Sequence, residues 1–90
     1  MSKVAKIIAE KLTAGLSPTV LDVVDDSARH AGHAGSRDGG ETHFNIAITA
    51  AAFEDLGRVA RQRLVYRLLA EELAGPVHAL SLTTKAPGED

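Results

Sequence analysis

The stretch HFNIAITAAAFEDLGRVARQRLVYRLLAEELAGPVHALSLT, residues 43–83, decides the fold. From His43 to Ala50 the residues alternate, Phe44, Ile46 and Ile48 on one parity and His43, Asn45 and Thr49 on the other. A strand in a sheet with one wet face has this pattern. After a short turn or helical turn at Phe53 to Gly57, Leu64, Val65, Leu68, Leu69 and Leu73 recur at helical spacing and Gly75-Pro76 closes them, which predicts the main helix over 58–74. Val77 to Thr83 is a second strand, with His78, Leu80 and Leu82 on one parity. Strand, helix and strand in direct succession form a crossover whose two strands run parallel.

Toward the N-terminus, Val4, Ile7, Ile8 and Leu12 mark an amphipathic helix over 3–14, with Gly15 and then Ser17-Pro18 as its stop. Thr19 to Asp26 is rich in Val and Leu and reads as a strand, although Asp22 interrupts its alternation. The order helix, strand, strand, helix, strand combines a hairpin with a crossover. It implies a single small α/β (α+β) domain with a three-stranded mixed sheet and helices on one face. The domain is expected over 1–84, and the acidic end at 85–90, bearing Pro87 and Gly88, is expected to fray. No internal repeat is visible. Between the first two strands, Ser27 to Thr42 holds four glycines together with Ser36 and Asp38, a long flexible loop. Loops of this length in compact domains are more often functional than idle.

The chain has 90 residues, enough for one core, with about 60 to 65% of the unfolded surface buried at that size. Ten Lys and Arg against twelve Asp and Glu give a formal charge of -2, which offers no overall attraction to nucleic acid or an acidic membrane. The absence of cysteine excludes a disulfide framework and suits a reducing compartment. The opening Met1-Ser2-Lys3-Val4-Ala5-Lys6 runs straight into helical periodicity, and no apolar run approaches a membrane span. These features predict a soluble, cytoplasmic protein without a membrane partner.

Four histidines and no cysteine leave imidazole as the only soft metal ligand. Such a chain either forms a small histidine site or shares one with a partner that brings thiolates. His30-Ala31-Gly32-His33 has ligand-like spacing within the glycine-rich loop, and His78 opens the last strand. One outcome is an all-histidine zinc site of His30, His33 and His78 that needs no partner. Taken alone, His78 reads as a packed residue donating a ring N–H to backbone, and the loop histidines as solvated. His43 lies on the polar parity of its strand and is left outside the metal set. Arg58, Arg61, Arg63 and Arg67 put a basic cluster on the main helix, which would suit phosphate contacts or form an ordinary solvated face. Gly32-His33-Ala34-Gly35 is formally GxxG, but it lies between two strands where a nucleic-acid-clamping loop would join two helices, and one tyrosine and two phenylalanines offer few stacking platforms. Catalysis has little support. Ser27 and Ser36 lack a nucleophile elbow, and Glu71-Glu72 reads as an exposed helix end, so the chain is not expected to be an enzyme.

The separated motifs Val23-Val24-Asp25-Asp26-Ser27 with His30, Glu41-Thr42-His43-Phe44, Phe53, Arg61-Gln62-Arg63-Leu64-Val65-Tyr66, Ala70-Glu71-Glu72-Leu73 and Val77-His78-Ala79-Leu80 occur in one order across nearly the whole chain. In this the sequence resembles the BolA family. It departs at Gln62, where the family often has His, and at Asp55 and Gly57, where Gly and Ser are usual. The resemblance implies a KH-like fold of the second class, association with a monothiol glutaredoxin, and a [2Fe-2S] cluster shared with that partner and its glutathione. It assigns His78 as the C-terminal ligand and His30 as the loop ligand, with His33 as a substitute. Chemistry agrees, because two imidazoles can replace two thiolates on one iron of such a centre. The function expected is iron-sulfur cluster assembly or trafficking as an adaptor, monomeric or weakly dimeric when free of cluster. The alternative is a DNA-binding transcriptional regulator using Arg58, Arg61, Arg63 and Arg67, since some members of the family are described as regulators.

Overall fold

The computed structural model describes residues 3–26 and 42–89. Helix α1 spans Lys3–Leu16, strand β1 Val20–Asp25, strand β2 His43–Thr49, helix α2 Arg58–Leu68, helix α3 Ala70–Ala74 and strand β3 Ala79–Lys85. A 3-10 turn at Ala51–Phe53 follows β2. Among the described residues the strands form one mixed sheet in the order β1-β2-β3. β1 pairs antiparallel with β2, Val20 opposite Thr49, and β2 pairs parallel with β3, His43 opposite Ala79. The expected architecture is therefore present. The long loop, with His30 and His33, lies outside the described residues.

The core follows from the parities. Phe44, Ile46 and Ile48 of β2 are buried against Ala5, Ile8 and Leu12 of α1, Val65 of α2, Phe53 and Leu69, with Leu21, Val23, Leu80 and Leu82 packed around them. β1 alternates so that Asp22 falls on the outer face with Val20 and Val24. That face carries no helix, so Asp22 costs the core nothing.

Four boundaries differ from the sequence reading, each for a local reason. α1 does not stop at Gly15. A Cβ there would lie 2.8 Å from both terminal carbons of Leu68, so Gly15 lets α1 and α2 approach, and the stop is Ser17. Ser17 takes the left-handed conformation (φ 45°) and donates its N–H to Thr13 O at 3.0 Å, an αL cap ahead of Pro18. The main helix is kinked at Leu69 (φ -104°, ψ 19°), where the bonds Leu69 N–H to Val65 O and Leu73 N–H to Leu69 O carry the path across. β3 starts at Ala79 rather than Val77, because the Val77 N–H is taken by Glu72 O at 3.0 Å. The described tail, residues 85–89, is also held where fraying was expected. Lys85 is in β3, Ala86 is buried, and the Glu89 carboxylate accepts from Arg61 Nη1 and Nη2 (2.6 and 2.8 Å) and from the Ala86 N–H (2.9 Å).

Candidate metal-ligand site

His78 stands between the end of α3 and the start of β3, and its backbone is held from both sides. Ahead of it, Val77 is buried and bonded to Glu72 O. At His78 itself the N–H donates to Thr42 O at 2.8 Å, and the Ala79 N–H donates to the same oxygen at 3.2 Å. Glu72 is fixed in turn by Lys11 of α1, whose Nζ donates to its two carboxylate oxygens at 3.0 and 2.8 Å and to Glu71 at 3.3 Å. Hydrogen bonding to Glu72 holds the Lys11 ammonium above its ordinary value. The pair Glu71-Glu72 is thus only half an exposed helix end, since Glu71 is open and Glu72 is buried. With its backbone pinned, the exposed His78 ring is presented to solvent at small further entropic cost.

His43 opens β2 and projects beside His78. The two ring centroids are 6.2 Å apart at an interplanar angle of 65°. Thr42, fully buried, lies behind both: its carbonyl holds the His78 backbone and its Oγ1 is 2.8 Å from His43 Nδ1. Asp26, where the chain leaves β1, donates its N–H to His43 O at 2.7 Å and accepts from Asn45 Nδ2 at 3.1 Å. Asp26 and Thr42, the described residues on either side of positions 27–41, are thus both bonded to the His43 end of β2. Parity alone puts His43 outside the metal set. The signal that would have retained it is the parallel register, which puts the first residue of β2 opposite Ala79.

The site offers two imidazoles and no thiolate. Among the described residues no group of three or more His, Cys, Asp and Glu stands ready to hold a metal, so any ion here needs further ligands from elsewhere. The all-histidine zinc alternative depends on His30 and His33, outside the described residues.

The arginines separate into two kinds. Arg58, Arg63 and Arg67 are exposed on α2, with Val59 and Tyr66 exposed between them. Arg61 is not part of that face. Its Nε donates to Leu56 O at 2.9 Å, its guanidinium lies 5.9 Å from the Phe53 ring centre, and it grips Glu89 with both terminal nitrogens. An open groove of about 520 Å³ beside it is lined by Arg58, Lys85, Thr83 and Glu89 among others, so its charge is partly neutralised from within.

Bonding to Arg61, and then to the Ala86 N–H, lowers the Glu89 carboxyl to about 2. A carboxylate with a depressed folded value stabilises above its unfolded value, and that contribution is lost as pH falls through the folded one. Glu89→Gln should accordingly unfold at lower urea than the parent at pH 7 and low salt, with the difference narrowing from about pH 4.5 downward and gone near pH 2. A gap that persists unchanged to pH 2 would contradict the ion-pair account.

Comparison with known proteins agrees with this architecture. A family model described as BolA-like protein matches residues 12–89. The chain is 49% identical over 86 residues to SufE-like protein 1 of Arabidopsis thaliana, covering 91% of this chain and 23% of that protein. It is 44% identical over 77 residues to the DNA-binding transcriptional regulator BolA of Escherichia coli, covering 86% of this chain and 70% of that protein. The solved BolA domain of SufE1 from Arabidopsis thaliana superposes with a TM-score of 0.90 at 43% identity, covering 100% of this chain and 99% of that one. The chain spans only just over half the length of several other plant and mammalian relatives. Some relatives carry chloroplast or mitochondrial labels, and no described helix is long and apolar enough to cross a membrane. By its family match and its likeness to a solved BolA domain, the chain belongs to the BolA-like protein family.

Proposed function

We propose that this chain is an adaptor in iron-sulfur cluster assembly or trafficking, which completes a [2Fe-2S] cluster jointly with a monothiol glutaredoxin and its glutathione. The observation that carries the reading is His78, an exposed imidazole whose backbone is fixed by Thr42 O and, through Val77, by the end of α3. A [2Fe-2S] centre accepts two imidazoles on one iron while thiolates hold the other. This chain supplies the imidazoles, His78 and, in the family pattern, His30 with His33 as substitute. Glutaredoxin and glutathione supply the sulfur. The cluster is cargo, no bond is made or broken in a substrate by this chain, and the role is binding rather than catalysis. A cytoplasmic setting, where glutathione is reduced, goes with it, and the cluster-free chain is a monomer or weak homodimer.

The test mixes the chain with a monothiol glutaredoxin, glutathione, iron and sulfide, and reads native mass and visible circular dichroism. A heterodimer with one cluster is expected. The isolated chain under the same reconstitution should hold no stable stoichiometric cluster, because it brings no thiolate. A stable cluster on the chain alone would overturn the shared-ligand mechanism.

A second reading is favoured by the exposed Arg58, Arg63 and Arg67 on α2 and by the regulator name of the Escherichia coli relative. Three phosphate contacts give a log-log salt slope of about -3 for duplex DNA, and Arg63→Ala with Arg67→Ala should reduce it by about two. Arg61, committed to Glu89, contributes least.

A further inference from the structure

We propose that the groove between α2 and the open edge of β3 binds an extended acidic peptide segment, which adds to the sheet as a strand and takes the place of the Glu89 carboxylate. β3 ends the sheet order β1-β2-β3, so among the described residues its far side pairs with no strand. The Ala79 N–H donates to Thr42 O and Lys85 O accepts from the Ala50 N–H, so the odd-numbered residues of β3 turn their backbone toward β2. In the alternation of the ladder, Leu82 and Thr84 turn theirs outward. Four successive residues, Leu82 to Lys85, line the groove, whereas one face of a strand supplies only every second residue. The groove therefore runs along the edge itself, where bare N–H and C=O groups accept a further strand.

Charge decides what that strand carries. The walls set Arg58, Arg61 and Lys85 against the single carboxylate of Glu89, three positive charges to one negative in a chain whose net charge is -2. Arg61 is built in. Its side chain is 12% exposed, propped by Leu56 O and the Phe53 ring, and its two terminal nitrogens form a fork that matches a carboxylate. Glu89 is 44% exposed on the turn after β3, so of the two partners the carboxylate is the one free to leave. Arg58 and Lys85 form no ion pair among the described residues, which leaves them for further carboxylates of the same segment. This end of β3 is about 20 Å from the His78 end at the rise of a strand, so the proposal does not rest on the cluster reading.

The experiment titrates a blocked, fluorophore-labelled peptide of alternating glutamate and threonine into the full-length chain at low salt, following anisotropy and the backbone amide resonances. Saturable binding that shifts the Leu82 and Thr84 amides is expected, with the same peptide bearing glutamine for glutamate about tenfold weaker. Glu89→Gln should tighten the glutamate peptide about fivefold by freeing the Arg61 fork, while Arg58→Ala with Lys85→Ala should weaken it about tenfold. Amide spectra of the unliganded variants verify folding. Equal affinity for the two peptides, binding that leaves the Leu82 and Thr84 amides unmoved, or no binding at all would overturn the proposal. If those two amides respond to duplex DNA or to concentrating the free chain, and not to the peptide, the groove belongs to phosphate or to a second copy and the proposal is equally overturned.

Discussion

His78→Ala is expected to abolish the [2Fe-2S] cluster formed with a monothiol glutaredoxin, with visible circular dichroism falling to that of the mixture lacking this chain. The ring is exposed, so apo stability should be nearly unchanged while cluster content is lost. Loop ligands behave differently. His30→Ala should weaken the cluster and combine with His33→Ala to a larger loss than either alone, because gathering a ligand from a glycine-rich loop carries an ordering cost that His78 does not. His78→Cys makes the comparison sharper, since a thiolate in place of an imidazole should retain a cluster at lower reduction potential. A native-like spectrum from His78→Ala would end the shared-ligand mechanism and leave DNA binding through α2 as the better account.

Phe44→Ala is the largest expected loss of stability, about 3 to 5 kcal/mol. The ring is 2% exposed on the inner face of β2, opposite Asp25 in β1 and Leu80 in β3. A chain of this size has about 5 to 13 kcal/mol in total, so the cavity removes about a quarter of it or more. Urea unfolding should show a lower midpoint at an unchanged slope, the signature of lost stability rather than of a changed unfolded state. Thr42, whose carbonyl holds the His78 backbone, is two residues before Phe44, so the same cavity should loosen that hold and lower cluster binding beyond the folded fraction. Phe44→Leu, which leaves a smaller void, should recover most of both. A cost below about 1 kcal/mol for Phe44→Ala would mean that the core closes over the void.

The sequence by itself determined the elements and their faces. Alternation in residues 43–50 and helical spacing in 3–14 and 58–74 are local signals, and the direction of a crossover follows from chain geometry, so the mixed sheet and the buried set Ile8, Leu12, Phe44, Ile46, Ile48, Val65 and Leu69 could be read without coordinates. What escaped was every feature that depends on two residues distant in the chain meeting at one register. Gly15 looked like a helix stop because glycine usually is one, whereas it lies inside α1, where Leu68 of α2 packs closely over it. Glu72 looked exposed and Glu89 looked like part of a loose tail, whereas Lys11 and Arg61, 61 and 28 residues away, donate to them and hold them in place. His43 looked like a surface residue because parity reports the face of a sheet and not the neighbour on it. Only the parallel pairing of β2 with β3 sets it beside His78. Periodicity is written in adjacent residues, but a side-chain pair across strands or helices is fixed by packing of the whole core, and that is why the tertiary structure decided it.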